Sequence, residues 1–160
     1  MTAATKSFSE WQSYAQTLDP VHVSWLKQAK TSKTKFAVAD IVGAEIPHDR
    51  FLTAVLLFSK KIKVISPEQN IGLLLPSSAG GAITTMAILA LGKTIVNLNF
   101  TAGKKALQSA VEQAKIKHIY SSSKFFDKMY EKSVDLASFF PGVEGLFLED
   151  LKEKISGLTK

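Results

Sequence analysis

Apolar residues gather into four short runs in the second part of the chain, beginning near Ile71, Thr94, His118 and Gly145. The first three lie about two dozen residues apart, a spacing that suits repeated strand–helix units with short loops. The first run, Ile71–Leu75, is stopped by Pro76, as a buried strand should be. Ser77, Ser78, Gly80 and Gly81 then open a helix, Ser78–Leu91, whose apolar residues continue to its end. Gly92 fits a left-handed helix stop, and Thr94–Leu98 is the next strand. A strand–helix–strand unit of this length predicts a parallel pair with a right-handed crossover. Further helices are expected over Gly103–Ala114 and Lys124–Glu131. Pro141-Gly142 punctuates the last connection, and Asp150–Ile155 reads as a final helical turn.

Upstream, residues 1–32 read as a separate helical preface. Ser9 fits the N-cap of a first helix, with Gln12 reaching back in a capping-box pattern. Pro20 starts a second amphipathic stretch carrying Val21, Val23, Trp25 and Leu26. Lys30–Lys35 is a polar linker. Lys35–Asp40 alternates into a short strand, Val42-Gly43-Ala44 makes a turn, and Glu45–Ile46 returns as a hairpin partner. Pro47 suits the first turn of a helix from His48 to Ile62. Its apolar positions Phe51, Leu52, Val55, Phe58 and Ile62 share one side. The expected fold is therefore α/β: a doubly wound, mostly parallel sheet with helices on both faces, a short edge hairpin and a helical preface. Residues 33–160 form the α/β unit in this reading.

Composition narrows the class. Apolar residues at 46% with 21% charged describe an ordinary globular chain. The longest apolar run, Met86–Leu91, is far too short to span a bilayer. The N-terminal MTAATKSFSEWQ lacks the apolar core of a secretory signal, which leads to the expectation of a soluble, cytoplasmic protein. The absence of cysteine removes disulfides, thiolate nucleophiles and cysteine-ligated metals. The net charge of +6 arises from nineteen lysines and a single arginine, Arg50. Nucleic-acid readers rely on arginine for bidentate contacts, so no nucleic acid is expected as a partner, while an acidic protein partner stays open.

The chemical motifs are few. Ala87–Thr94, AILALGKT, matches a loose phosphate-loop pattern, but its Gly-Lys-Thr follows a helix and opens a strand. A phosphate loop needs the reverse order, so that free N–H groups and the helix dipole meet the anion. The Pro76–Gly81 loop, PSSAGG, has the right polarity but lacks the G-x-G-x-x-G spacing, and a helix cap explains it more simply. Asn97 and Asn99 after the second strand, and Ser121–Ser123 after the third, share the C-terminal rim where open α/β sheets bind ligands. Ser77, Ser78, Asn97 and Asn99 are accordingly the candidate substrate-binding residues. His22, His48 and His118 lie in three different elements without acidic neighbours at ligand spacing, so no metal site is expected. Asp49 beside His48 suits a helix start. No G-x-S-x-G elbow is present. Glu149-Asp150 offers adjacent carboxylates, with Asp150 fitting a helix N-cap. No catalytic residue emerges.

Three phrases, VGAEIPHDRFLTAVLLFSKKI, IGLLLPSSAGGAITTMAILALGKTIVNLNFTAG and IKHIYSSSKFFDKM, together resemble the AMP-forming acyl-activating enzymes. The likeness leans toward the acyl-ACP synthetase part of bifunctional 2-acylglycerophosphoethanolamine acyltransferases, and Leu148–Leu151 (LEDL) fits that group as well. The resemblance covers roughly residues 35–155. It implies a two-step reaction. A fatty carboxylate attacks the α-phosphate of ATP with magnesium assisting, and the acyl group then passes from the adenylate to a phosphopantetheine thiol. ATP and magnesium are implied for the full-length family and no cofactor for this piece. The implied partners are the remainder of the synthetase chain and acyl carrier protein, and the implied setting is the cytoplasm, at the inner face of its membrane for the parent enzyme. The family's catalytic motifs come later in its chain, so no functional residue carries over, and Lys93 in its helix-to-strand turn cannot replace the family's catalytic lysine. The expectation is an N-terminal fragment involved in phospholipid acyl recycling and inactive alone. The rival is a stand-alone, non-catalytic module that binds an acidic partner such as acyl carrier protein.

Overall fold

The structure, a computed structural model, describes residues 7–41 and 45–156. The helices are α1 (Phe8–Gln16), α2 (Val21–Thr31), α3 (His48–Ile65), α4 (Ala79–Ala90), α5 (Lys104–Gln113), α6 (Ser123–Glu131) and α7 (Leu148–Ser156). The strands are β1 (Phe36–Ala39), β2 (Glu45–Pro47), β3 (Asn70–Leu73), β4 (Thr94–Asn97), β5 (His118–Ser121) and β6 (Glu144–Phe147). β1 and β2 pair antiparallel as a small sheet of their own. The expected turn at residues 42–44 lies outside the described residues.

The main sheet has the order β4-β3-β5-β6 and is parallel throughout. Parallel neighbours need crossovers, and α4, α5 and α6 supply them. From β3 the chain moves to one side through α4, then returns across β3 through α5 to reach β5. The strands alternate faces with period two, which divides the core. Ile71, Leu73 and Tyr120 pack with Phe51, Val55 and Ile62 of α3, the α4 residues Ile83, Met86 and Ile88, and Leu151 of α7. On the other face Leu74, Leu98 and Ile119 pack with Leu107 and Val111 of α5 and Phe125 of α6. Gly72 also points to this second face. A Cβ there would lie 2.9 Å from Ile119 Cγ1 and 3.2 Å from Ile116 Cγ2, so glycine lets these side chains pack directly on β3. Trp25 of α2 joins the first core, and its Nε1–H donates to His48 Nδ1 at 3.1 Å.

Two capping expectations are corrected. The N-cap of α1 is Ser7, not Ser9. Ser7 Oγ accepts from the Glu10 N–H while the Glu10 carboxylate accepts from the Ser7 N–H, a complete capping box. Both serines have a partner three residues on, and the charged carboxylate makes the stronger return bond. Asp150 is not a cap either: α7 begins at Leu148, which places Asp150 within its first turn. α3 also runs beyond Ile62 to Ile65. Among the described residues no helix is long and apolar enough to cross a membrane.

Candidate functional site

α4 follows β3, and the N–H groups of Ala79, Gly81 and Ala82 in its first turn have partners within the protein. Ser78 is the N-cap in extended conformation, and its Oγ accepts from the Gly81 N–H at 3.2 Å. The Ser78 carbonyl accepts from Ala82 N–H at 3.0 Å. The Ala79 N–H donates to Asp40 Oδ2 at 3.0 Å. Asp40 follows β1, so the hairpin delivers a carboxylate to the positive end of α4, where an anionic ligand would otherwise sit. PSSAGG is a helix cap closed by the protein's own anion.

At the neighbouring strand end, Asn97 is exposed on the rim. Asn99 Oδ1 accepts from both the N–H and the Oγ1 of Thr101, at 3.0 and 2.8 Å, and caps the short 3-10 turn Phe100–Ala102. Ser77, Ser78, Asn97 and Asn99 nonetheless line one cleft of about 670 Å³, with Asp40, Thr85 and Phe100 among its walls. Adjacent parallel strands explain this convergence, since Leu73 of β3 and Asn97 of β4 are register partners.

The Ser121–Ser123 rim falls on the other side of β3. Ser121 Oγ donates to the Leu74 carbonyl at 2.5 Å. Ser122 Oγ and the Ser123 N–H donate to Glu149 Oε1 and Oε2 at 2.6 and 3.2 Å. Glu149 therefore caps α6 from α7. Partial burial pushes its carboxyl up, but the bonds from Ser122, its own backbone and Ser123 outweigh that and hold it below the usual carboxylate range. A depressed carboxylate contributes stability that is present above its unfolded value and lost as pH falls through the folded one. Glu149→Gln should accordingly cost about 1 kcal/mol at pH 7, discounted for partial exposure, and the difference from the parent should close below about pH 4.5. Urea unfolding across pH 3–8 checks this. A constant difference across that range would exclude the carboxylate as the cause.

The remaining candidates are structural. Gly92 adopts φ +69° after α4, and Lys93 Nζ donates to the Pro67 and Glu68 carbonyls, which ties the helix-to-strand turn to the chain before β3. His118 does meet acidic neighbours, brought from outside its own element. Its Nδ1 lies 2.6 Å from Glu68 Oε1 and its Nε2 3.4 Å from Glu144 Oε2. Even so, no group of three His, Cys, Asp or Glu among the described residues could hold a metal ion. Two of the α4 N–H groups that could meet a phosphate, those of Ala79 and Gly81, are engaged by Asp40 and Ser78. Asp40, and the bond of Glu149 to Ser122 and Ser123, escaped sequence reasoning because each carboxylate acts on an element far along the chain.

No protein-family model matches the chain. Solved structures match its fold. The N-terminal subdomain of Klebsiella oxytoca NpsA, in complex with 3-hydroxyanthranilyl-AMSN, superposes with a TM-score of 0.68 at 12% identity, over 89% of this chain and 34% of that one. VinN gives 0.69 at 16% identity, over 88% and 36%. The N-terminal domain of FACL13 from Mycobacterium tuberculosis gives 0.67 at 12% identity, over 87% and 36%. The chain thus has the fold of an adenylation-enzyme N-terminal subdomain and spans about a third of the length of these neighbours.

Proposed function

We propose that this chain forms the first part of an AMP-forming acyl-activating enzyme, an acyl-ACP or acyl-CoA synthetase of phospholipid acyl recycling working in the cytoplasm. The observation that carries the reading is the agreement of two likenesses, one of wording and one of fold. Ordered phrases across roughly residues 35–155 resemble that family, and the β4-β3-β5-β6 sheet with its flanking helices superposes on adenylation-enzyme subdomains over 89% of the chain. Within such an enzyme this unit serves as scaffold. The cleft with Ser77, Ser78, Asn97 and Asn99 supplies one wall of the acyl or carrier site. No phosphate or metal chemistry is assigned to it, since its helix N-terminus is self-capped. Acyl carrier protein is the favoured acceptor, because an excess of lysine suits an acidic partner and speeds its encounter at low salt.

Two assays test this. The 160-residue chain incubated with ATP, magnesium and fatty acids should release no pyrophosphate above background. The product of its gene extended to the next stop codon beyond Lys160 should release pyrophosphate in a fatty-acid-dependent manner. Turnover by the 160-residue chain would overturn its proposed inactivity. An extended product that activates only aryl or amino acids, or nothing, would overturn the fatty-acyl assignment.

A further inference from the structure

α3 carries a second pattern on the side away from the core. Phe51, Val55, Ser59 and Ile62 are buried inward. Outward, Leu56, Leu57 and Val64 keep 51%, 37% and 82% of their surface exposed. Arg50, Leu57 and Val64 recur every seven residues, about two turns, so they lie in line along the helix. Thr53 and Lys60 fall on that line between them, with Leu56 and Lys63 on one flank and Lys61 on the other. From Arg50 to Pro67 the chain holds four cations and no acidic residue. Arg50, Lys60, Lys61 and Lys63 form no ion pair among the described residues. The acids that bound this stretch are engaged: Asp49 Oδ1 accepts from the Arg50 N–H at 2.6 Å, and Glu68 Oε1 lies 2.6 Å from His118 Nδ1. The helix dipole favours lysines near a C-terminal end, but it gives no reason for three aliphatic side chains to stand in water among them. Ala54 and Leu57 also belong to the walls of two depressions, of about 490 and 290 Å³, so the strip is ridged and not flat.

We propose that this face of α3 docks an acidic amphipathic helix of a protein partner. Charge complementarity selects the partner's sign, because four cations without carboxylates of their own attract an acidic surface. The aliphatic line and the hollows beside Leu57 suit side chains repeating at three and four residues, as one helix packs on another. α3 has 18 residues and so offers about 27 Å of length to such a helix. A second copy of this face would set cation against cation. A lipid surface fits less well, since membrane-surface helices keep cations off their apolar face, whereas Lys60 lies between Leu57 and Val64. At a protein interface that ammonium meets a carboxylate. The surface is read from α3 alone, so it fails or succeeds apart from acyl activation.

A synthetic helical peptide with leucine at heptad positions a and d and glutamate at e and g tests the face. Its twin carries glutamine in place of glutamate. Fluorescence anisotropy with the 160-residue chain should show saturable one-to-one binding of the acidic peptide, about tenfold tighter than its twin. Raising the salt from about 0.05 to about 0.5 M should shrink that advantage. Lys60→Glu combined with Lys63→Glu should weaken the acidic peptide about tenfold, and Leu57→Ser about fivefold. The charge-reversed protein should in turn bind a peptide with lysine at e and g. Lys124→Glu combined with Lys128→Glu, the same change of net charge placed on α6, should leave binding unchanged. All these side chains are exposed, and circular dichroism verifies each fold. Absence of saturation by the acidic peptide, equal affinity for its glutamine twin, or equal weakening by the α6 variant would each overturn the proposal. Binding to phosphatidylglycerol vesicles without binding to the peptide would overturn it in favour of a lipid surface.

Discussion

Leu74→Ala is expected to destabilise the protein by about 3–5 kcal/mol, the upper part of the range for truncating a buried leucine. Leu74 has 0% exposure and packs among Leu98, Ile119 and Phe125. The cost depends on whether the surroundings can collapse into the space left behind. Here they are pinned. The Leu74 N–H donates to the Tyr120 carbonyl at 3.0 Å, and its own carbonyl accepts Ser121 Oγ. Its backbone is thus fixed to β5 just where the chain leaves β3, and the strands cannot draw together. At ~2–4 °C per kcal/mol for a domain of this size, the melting temperature should fall by about 10 °C. Leu56→Ala is the control. Leu56 is 51% exposed on α3, so its truncation should stay within about 0.5 kcal/mol. Urea unfolding of both variants with an unchanged denaturant slope decides the matter. A loss below about 1 kcal/mol for Leu74→Ala would show that the site relaxes and that the pinning argument is wrong.

The strand and helix pattern of the α/β unit was legible because its punctuation is local. Pro76 ends a run, Ser78 accepts a bond from three residues on, and Gly92 can take the φ of +69° that a side chain would resist. The mistaken caps share a different cause. Ser7–Glu10 and Ser9–Gln12 offer the same spacing two residues apart, and only the relative strength of the two acceptors separates them. What local pattern cannot show is which side of β3 receives β5. That choice divides the rim. It gathers Ser77, Asn97 and Asn99 into one cleft and sends Ser122 to Glu149 on the other side of β3, with Ser78 between the two. Asp40 reaches Ala79 across 39 residues and Glu149 reaches Ser122 across 27, and no periodicity carries such pairings. The carboxylates that Asp40 and Glu149 bring to the starts of α4 and α6 were therefore invisible until the strands were ordered.

Tyr120 should govern alkaline stability. Its side chain is fully buried, and its hydroxyl lies 2.8 Å from Ser66 Oγ, itself at 0% exposure. Burial pushes the phenol up to about 12 despite the opposing Ser66 bond, with the nearby charges of Glu68 and Glu144 adding to the rise. The folded value thus exceeds the unfolded value of 10.0. A neutral phenol held this way contributes stability that is complete below the unfolded value. That contribution is lost as pH rises toward the folded one, because the unfolded chain ionises first. The loss between pH 10 and about 12 should reach roughly 2–3 kcal/mol. Tyr120→Phe makes the test specific, since the lysines titrate in the same window and contribute equally to both proteins. At pH 7 the variant should be about 1–3 kcal/mol less stable than the parent, because the Ser66 hydroxyl is left buried without its partner. Adding Ser66→Ala to Tyr120→Phe should return part of that loss, as coupled neighbours do. Above pH 10 the gap between parent and Tyr120→Phe should narrow and then close. Parallel curves from pH 9 to 12 would mean that Tyr120 does not ionise on unfolding, and that its burial does not hold the neutral phenol in place.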